Sequence, residues 1–345
     1  MKDVRAAVIG VGHMGKNHAR IFHELPDVKL AAIVDTDEKN GRKIARKCRA
    51  EFHTDYTEIA DRIDAASIAV PTAHHHRIAK DLLQRGVHVL IEKPMTKSVE
   101  EAEELVAIAK QSGALIMVGH VERFNPAFMA IQKHIKSPKF IEAHRLAPFS
   151  FRSADIGVVL DLMIHDIDII LHLIQSDIKR IDAAGANVLS NHEDVANARI
   201  LFDNGCVANV TASRVSIKAM RKIRVFSPNN YCSIDLLARE AVIFTKSPKL
   251  TVESLDISKL DVSTIADLVG FVFGDLLHRE KVKIDDHEPL KKEIESFVES
   301  VRNGTEPVVS GEQGIKTVRT ARTVIDSIRQ SLEAADIEPP RGLKG

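Results

Sequence analysis

Gly10-Val11-Gly12-His13-Met14-Gly15 is the stretch on which the fold turns. It ends an apolar, β-branched run that starts at Val4 and opens an amphipathic stretch, so the glycines fall between a strand and a helix. In that setting a Gly-x-Gly-x-x-Gly loop binds a dinucleotide: the glycines allow a tight turn and close approach of backbone to pyrophosphate, and the helix amino terminus offers N–H groups to the phosphates. Asp35 closes the next apolar run, where a carboxylate accepts hydrogen bonds from the adenosine ribose hydroxyls. Because that carboxylate would repel a 2′-phosphate, NAD is expected over NADP; Arg42 and Lys43 are the cations that would offset the repulsion.

Working outward, short β-branched runs alternate with amphipathic stretches as far as about Val121, the pattern of a parallel sheet covered by helices. Strands are predicted at 4–11, 28–35, 65–71, 87–93 and 115–121, and helices at 13–25, 37–48, 76–85 and 98–111. Ser98 is the expected N-cap of the last helix, with Glu101 its capping-box partner. Beyond Glu122 the strands lengthen and alternate, at 140–147, 181–188, 196–202, 207–214 and 222–226, with Asp203-Asn204-Gly205 a hairpin turn. Helices are predicted at 159–173, 290–302 and 311–333. The expected fold class is α/β: a Rossmann parallel-sheet domain over residues 1–121, then an α+β domain with a large, mostly antiparallel open-faced sheet over 122–335. The segment 233–288 mixes short strands with loop and receives no function.

Composition narrows the function classes. At 345 residues two domains are expected. Hydrophobic residues at 44% and charged residues at 28% describe an ordinary globular chain. Lys plus Arg and Asp plus Glu number 48 each, so no net field draws nucleic acid or an anionic membrane, and neither is an expected partner. Cys48, Cys206 and Cys232 have no metal or disulfide-framework spacing and suit a reducing cytosol. No signal-peptide pattern opens the sequence, and no apolar run approaches the ~20 residues of a membrane span, so a cytoplasmic protein is expected.

Two groups of residues carry chemistry. Glu92-Lys93-Pro94 ends a parallel strand, on the side where open sheets bind ligands, so Lys93 is expected to face the nicotinamide. A solvated lysine is a poor base, but desolvation and a neighbouring cation make an amine a better one; the plain alternative is a surface ion pair. Asp161, His165, Asp168 and His172 are spaced by four, three and four, which puts them on one face of an otherwise apolar helix. Such a stripe lines a site or is paired, and His165 is the acid/base candidate because histidine titrates near neutrality. The stripe also reads as a metal site or as a core histidine held by Asp161; no metal is assigned. His74-His75-His76 follows Pro71-Thr72 in a loop after the third predicted strand.

With these motifs in order, the chain resembles the Gfo/Idh/MocA oxidoreductases across nearly its whole length. The resemblance rests on Gly10 to Gly15, Pro71-Thr72 with a following histidine, Glu92-Lys93-Pro94, Arg123-Phe124-Asn125-Pro126, and Asp161 four residues before His165. It implies hydride transfer from a sugar or cyclitol C–H to a nicotinamide, with Lys93 and His165 as the acid/base pair and Asp161 assisting. It further implies cofactor contacts from Gly10, Gly12, His13, Met14, Gly15, Asp35, Pro71, Thr72, His75, Glu92 and Lys93. Substrate contacts are implied for Arg123, Asn125, Arg152, Asp155, Asp161 and His165, and a homodimer or homotetramer is implied through the open sheet. The glycine-rich turn that many sugar and inositol dehydrogenases carry before this helix is replaced here by residues 149–159.

A narrower resemblance, carried by Arg145 to Phe149, Arg152, Asp155 and 161–168, is to dehydrogenases that oxidise the 3-hydroxyl of UDP-N-acetylglucosamine ahead of an aminotransferase in lipid A diamino-sugar synthesis. Arg145, Arg152, Arg214, Lys218, Arg221 and Arg224 are the expected cations for a nucleotide-sugar diphosphate, since arginine matches phosphate oxygens bidentately. The rival readings are a related dehydrogenase acting on a free sugar, an inositol or a UDP-uronic acid, and a non-catalytic NAD-binding sensor.

Overall fold

The computed structural model describes residues 3–150, 156–246 and 277–343, so Arg152 and Asp155 lie outside the described residues. Contacts divide the chain into two units, Met1–Phe124 with His287–Arg322 and Asn125–Asp286 with Thr323–Gly345.

In the first unit, β1 (Val4–Ile9), β2 (Val28–Val34), β3 (Glu51–His53), β4 (Ala65–Ile68), β5 (His88–Glu92) and β6 (Ile116–Gly119) form one parallel sheet in the order β3-β2-β1-β4-β5-β6. The central strands are buried on both faces: Ala6, Ala7, Val8, Val89, Leu90 and Ile91 have no exposed surface. That burial requires uninterrupted apolar runs, which is what the sequence shows. Helices α1 (Gly15–Glu24), α2 (Glu38–Cys48), α3 (His75–Gln84) and α4 (Val99–Ser112) cross between the strands. Ser98 caps α4 by accepting the Glu101 N–H at 3.2 Å, while the Glu101 carboxylate takes the Lys97 N–H, one residue ahead of the expected Ser98 N–H. The short edge strand β3 was not expected; three residues are too few for a periodic signal. The order reverses between β1 and β4, and the crevice beyond those strand ends is where this topology binds ligands.

The second unit is built on an eight-stranded sheet. Its strands are β7 (Phe140–Leu146), β8 (Ile178–Ala186), β9 (Val195–Phe202), β10 (Val207–Ser213), β11 (Met220–Phe226), β12 (Asn230–Asp235), β13 (Glu240–Lys246) and β14 (Leu277–Lys281), ordered β14-β13-β12-β11-β7-β10-β9-β8. All neighbours are antiparallel except β7 and β10. Period-two alternation gives the sheet a buried face of small and branched residues, including Ala143, Ala198, Val210, Ala212, Ile223 and Ile234. Helix α6 (Ile164–Leu173) packs on β7 and β10, and α5 (Pro126–Ile131) on β12 and β13. Asp203-Asn204-Gly205 turns β9 into β10, with Gly205 at φ +80°. In the segment 233–288, where the sequence showed only short strands and loop, the described residues include the end of β12, all of β13 and all of β14; residues 247–276 lie outside the described residues.

Two long helices follow, α7 (Pro289–Asn303) and α8 (Gly311–Ala334). The sequence reading put residues 287–322 with the second domain; contacts put them with the first. The reason is the apolar face of α7, with Leu290, Ile294, Phe297 and Val298 buried, which packs against α1, β1 and the turn 121–124. No helix among the described residues is long and apolar enough to cross a membrane.

Candidate functional site

The glycine loop of the first unit is shaped by two close approaches and one opening. Gly10 sits at φ +83°, where an added Cβ would also meet Val70 Cγ1 at 2.7 Å. A Cβ at Gly15 would overlap the Gly10 carbonyl oxygen, whereas one at Gly12 would meet nothing within 4 Å. The first and third glycines therefore serve the protein's own packing, and the second leaves room for a ligand. Helix α1 begins here with no side-chain cap and no acidic residue in its first turn, which leaves its positive end available to a phosphate. His13 is exposed and Met14 half-buried.

Asp35 lies at the end of β2, where its Oδ2 accepts the Val11 N–H at 2.7 Å and its Oδ1 the Asp37 N–H at 2.8 Å. Each carboxylate oxygen keeps a second lone pair, so the group is held in place with acceptor capacity to spare for ribose hydroxyls. Arg42, the cation that would offset a 2′-phosphate, pairs with Glu38 at 3.0 Å and lies 4.7 Å over the Phe52 ring. These features fit a dinucleotide.

Beyond β4, Pro71 is exposed and Thr72 half-buried, while His75 is 1% exposed. The His75 ring lies between two backbone carbonyls, Val70 O at 2.8 Å and Pro94 O at 3.0 Å. Burial pulls its pKa down, against the upward pull of those carbonyls. The ring thus ties the β4 loop to the Lys93–Pro94 peptide, which is cis. Lys93 is half-buried at the end of β5. Glu92 turns inward, its Oε1 2.9 Å from His18 Nε2, and His18 Nδ1 is 2.7 Å from Ser67 Oγ. Burial would raise the Glu92 carboxyl, but the His18 hydrogen bond and charge, with the charge of Lys93, hold it below its ordinary value.

In the second unit the predicted helix 159–173 is split. Val159–Met163 is a π-helical turn and α6 follows it. Along these two segments Asp161 and His165 are half-buried, Asp168 is 2% exposed, and His172 Nε2 lies 2.9 Å from Gln132 Oε1 with its ring edge-on to Phe128. Such π-helical turns recur at functional sites. This one hangs on Glu193, whose carbonyl accepts the Val158 N–H at 2.9 Å and whose Oε1 accepts the Val159 N–H at 3.2 Å. Gly157 lies so close that a Cβ would overlap the Glu193 carboxylate. Burial pushes the Glu193 carboxyl up from its ordinary value.

Two of the expected phosphate cations are buried against acids. Arg145 faces inward from β7 with Ile141 and Ala143, and grips Asp166 of α6 bidentately at 2.9 and 2.8 Å with both side chains buried. Arg214 bonds Asp194 Oδ1 at 2.7 Å, Ile156 O at 2.6 Å and Ser190 Oγ at 2.8 Å. Neither is the phosphate ligand the sequence suggested, because a buried guanidinium demands acceptors of its own. Burial would raise Asp194, yet backbone N–H groups of Leu189, Val188 and Ser190, with Arg214, hold it far below the carboxylate range. Asn125 caps α5 through the Ala127 N–H at 3.1 Å and donates to Leu236 O at 3.0 Å, and Arg123, 4% exposed, donates to Val308 O at 3.4 Å. Both thus also brace their own units. Lys218 and Arg221 are exposed, and Arg224 lies 3.6 Å from Glu142. Asp166, Glu193 and Asp194 escaped the sequence reading; the inward position of Arg145 in an alternating strand was the available signal for Asp166.

The sequence and the fold are similar to those of known proteins. Residues 4–120 match the model described as the oxidoreductase family, NAD-binding Rossmann fold, and residues 138–228 match the GFO/IDH/MocA C-terminal domain. A UDP-N-acetylglucosamine 3-dehydrogenase of Acidithiobacillus ferrooxidans is 34% identical over 81% of this chain and 91% of its own length. A crystal form of that enzyme superposes with a TM-score of 0.85 over 96% of this chain and all of its own. The scyllo-inositol 2-dehydrogenase (NAD(+)) of Bacillus subtilis is 26% identical over 96% of this chain and 95% of its own. Levoglucosan dehydrogenase in complex with NADH shares the fold, with a TM-score of 0.81 at 18% identity over 95% of this chain and 98% of its own. With its glycine loop, Glu-Lys-Pro strand end and open sheet in place, this chain belongs to the Gfo/Idh/MocA family of NAD-binding oxidoreductases.

Proposed function

We propose that the protein oxidises the 3-hydroxyl of UDP-N-acetylglucosamine to a ketone with NAD as the hydride acceptor. The observation that carries this reading is the likeness to the Acidithiobacillus enzyme, which extends over 91% of that enzyme's length. The preference for NAD over NADP rests on Asp35, a carboxylate held by two N–H groups beside the glycine loop. Bound NAD supplies the acceptor for the hydride that leaves C3. The hydroxyl proton passes to Lys93 Nζ or His165, with Asp161 assisting, so that one hydride and one proton leave the alcohol and a ketone remains. His75 and Glu92 hold the strand end that carries Lys93, and Glu193 holds the turn that carries Asp161. The ketone goes to an aminotransferase in diamino-sugar synthesis for lipid A, in the cytoplasm, and the enzyme assembles as a homodimer or homotetramer through its eight-stranded sheet.

The test is absorbance of reduced nicotinamide when enzyme, NAD and UDP-N-acetylglucosamine are mixed, with a glutamate-dependent aminotransferase present to remove ketone. NADH formation only with the UDP-sugar supports the proposal. NADH formation only with a free sugar, an inositol or a UDP-uronic acid overturns the substrate, and NAD binding without turnover on any of them points to a sensor. Lys93→Met is expected to abolish turnover and spare NAD binding; unchanged turnover would overturn the role of Lys93.

A further inference from the structure

Helix α7 contains a residue that packing alone does not explain. Its buried face is Leu290, Ile294, Phe297 and Val298, and among them Glu293 has no exposed surface. A carboxylate on such a face is costly where a leucine would not be, and buried ionisable groups of this kind mark functional sites. The Glu293 carboxylate gathers with Glu92 and His18: one ligand-type atom from each lies within 4.8 Å of the others. All three belong to the first unit. His18 is fully buried and Glu92 is 9% exposed.

The group connects to the reactive strand end by a continuous chain. Ser67 Oγ meets His18 Nδ1 at 2.7 Å, His18 Nε2 meets Glu92 Oε1 at 2.9 Å, and Glu92 Oε2 accepts the Lys93 N–H at 3.3 Å. On the β6 side, an added Cβ at Gly119 would stand 3.3 Å from Glu92 Oε2, so β6 closes over the carboxylate. Two carboxylates beside one imidazole in a buried space interact through a low dielectric, so a change at Glu293 is felt at Glu92 and His18.

We propose that Glu293 is a positioning residue for Lys93, acting through Glu92 and His18 to set the orientation and charge of the strand end that carries the amine. The inference rests on the reading of Lys93 as a proton-handling residue of the dehydrogenase.

The experiment uses the full-length enzyme with NAD and the variants Glu293→Gln and Glu293→Leu. Displacing a reacting group by about 1 Å can lower turnover a hundredfold, so kcat is expected to fall about tenfold to a hundredfold in both, with KM and NAD affinity within about twofold of wild type. Glu293→Leu is expected to melt at or above the wild-type temperature, because it removes a buried carboxylate. Stability lost with kcat retained would overturn the proposal, as would a stoichiometric transition metal in the purified wild type. A second readout does not depend on the substrate: the rate of Lys93 acetylation by acetic anhydride, measured by mass spectrometry against exposed Lys97. It is expected to change severalfold in both variants. If wild type turns over no sugar yet that rate shifts, the substrate reading fails and the positioning role stands. If wild type is active and neither kcat nor the acetylation rate moves, the positioning role fails.

Discussion

Arg145 and Asp166 make the sharpest energetic test of how α6 is held. Both side chains are almost completely buried, at 3% and 2% exposure, and the pair is bidentate at 2.9 and 2.8 Å. Removing one partner strands a charge in the core of the second unit, which costs about 3–5 kcal/mol, whereas replacing both with apolar residues of similar volume is often neutral or stabilising. Arg145→Met and Asp166→Leu alone should each open α6 by that amount, while the double variant should return to within about 1 kcal/mol of wild type. Since about 1.4 kcal/mol is tenfold in an equilibrium, the amides of α6 should exchange with deuterium roughly a hundredfold to several thousandfold faster in the single variants. Hydrogen exchange is the right assay because it reads α6 separately from the first unit. Turnover should follow the same pattern, lowered in the singles and largely restored in the double, because His165 stands beside Asp166 on the helix. Single variants within about 1 kcal/mol of wild type, or a double variant showing the sum of the two losses, would refute the claim that the pair is a mutually dependent brace.

Other tests separate ligand from scaffold. Gly12→Ala should fold like wild type and bind NAD at least tenfold more weakly by calorimetry, since its Cβ meets only open space, while Gly15→Ala should lose stability because its Cβ overlaps the Gly10 carbonyl. Glu193 is raised above its ordinary 4.5 by burial, so its contribution to stability is complete below that value and is lost as pH rises through the folded pKa. Urea midpoints of wild type and Glu193→Gln should therefore converge near pH 4.5 and diverge as pH rises, with the variant the more stable; a constant gap would refute this. Tyr56 is raised by burial and by its bond to Asp81, to about 12, so its stabilisation is present below 10 and lost between 10 and 12. An ultraviolet titration should show one of the two tyrosines ionising near that upper value, and Tyr56→Phe should remove it.

The first unit was legible because its physics is local. An apolar run buried on both faces, a glycine loop and a following amphipathic stretch each leave a short-range signal, and all three agree. Glu92 and Lys93 were found as a motif, but the inward turn of Glu92 to His18 was not. The meeting of those two residues, 74 positions apart, is set by the packing of α1 across β1 and β4. In the second unit the alternating strands and the Asp203-Asn204-Gly205 turn were visible. The π-helical turn was not, because residues 159–173 have the spacing of a regular helix and the wider turn depends on Glu193, contributed from a distant loop.

By itself, the sequence determined the class of fold, the dinucleotide loop with Asp35, and which side chains carry ionisable chemistry, because these depend on residue type and on periods of two, of 3.6 and of a single tight turn. Tertiary structure alone decided which charges are available to a ligand. Arg145 and Arg214 are as basic in sequence as Arg221, yet each is enclosed with an acid and its neighbours while Arg221 remains exposed. The choice is made by burial, since a guanidinium removed from water must find its acceptors inside the protein, and those acceptors are brought to it by segments of chain that no local pattern connects.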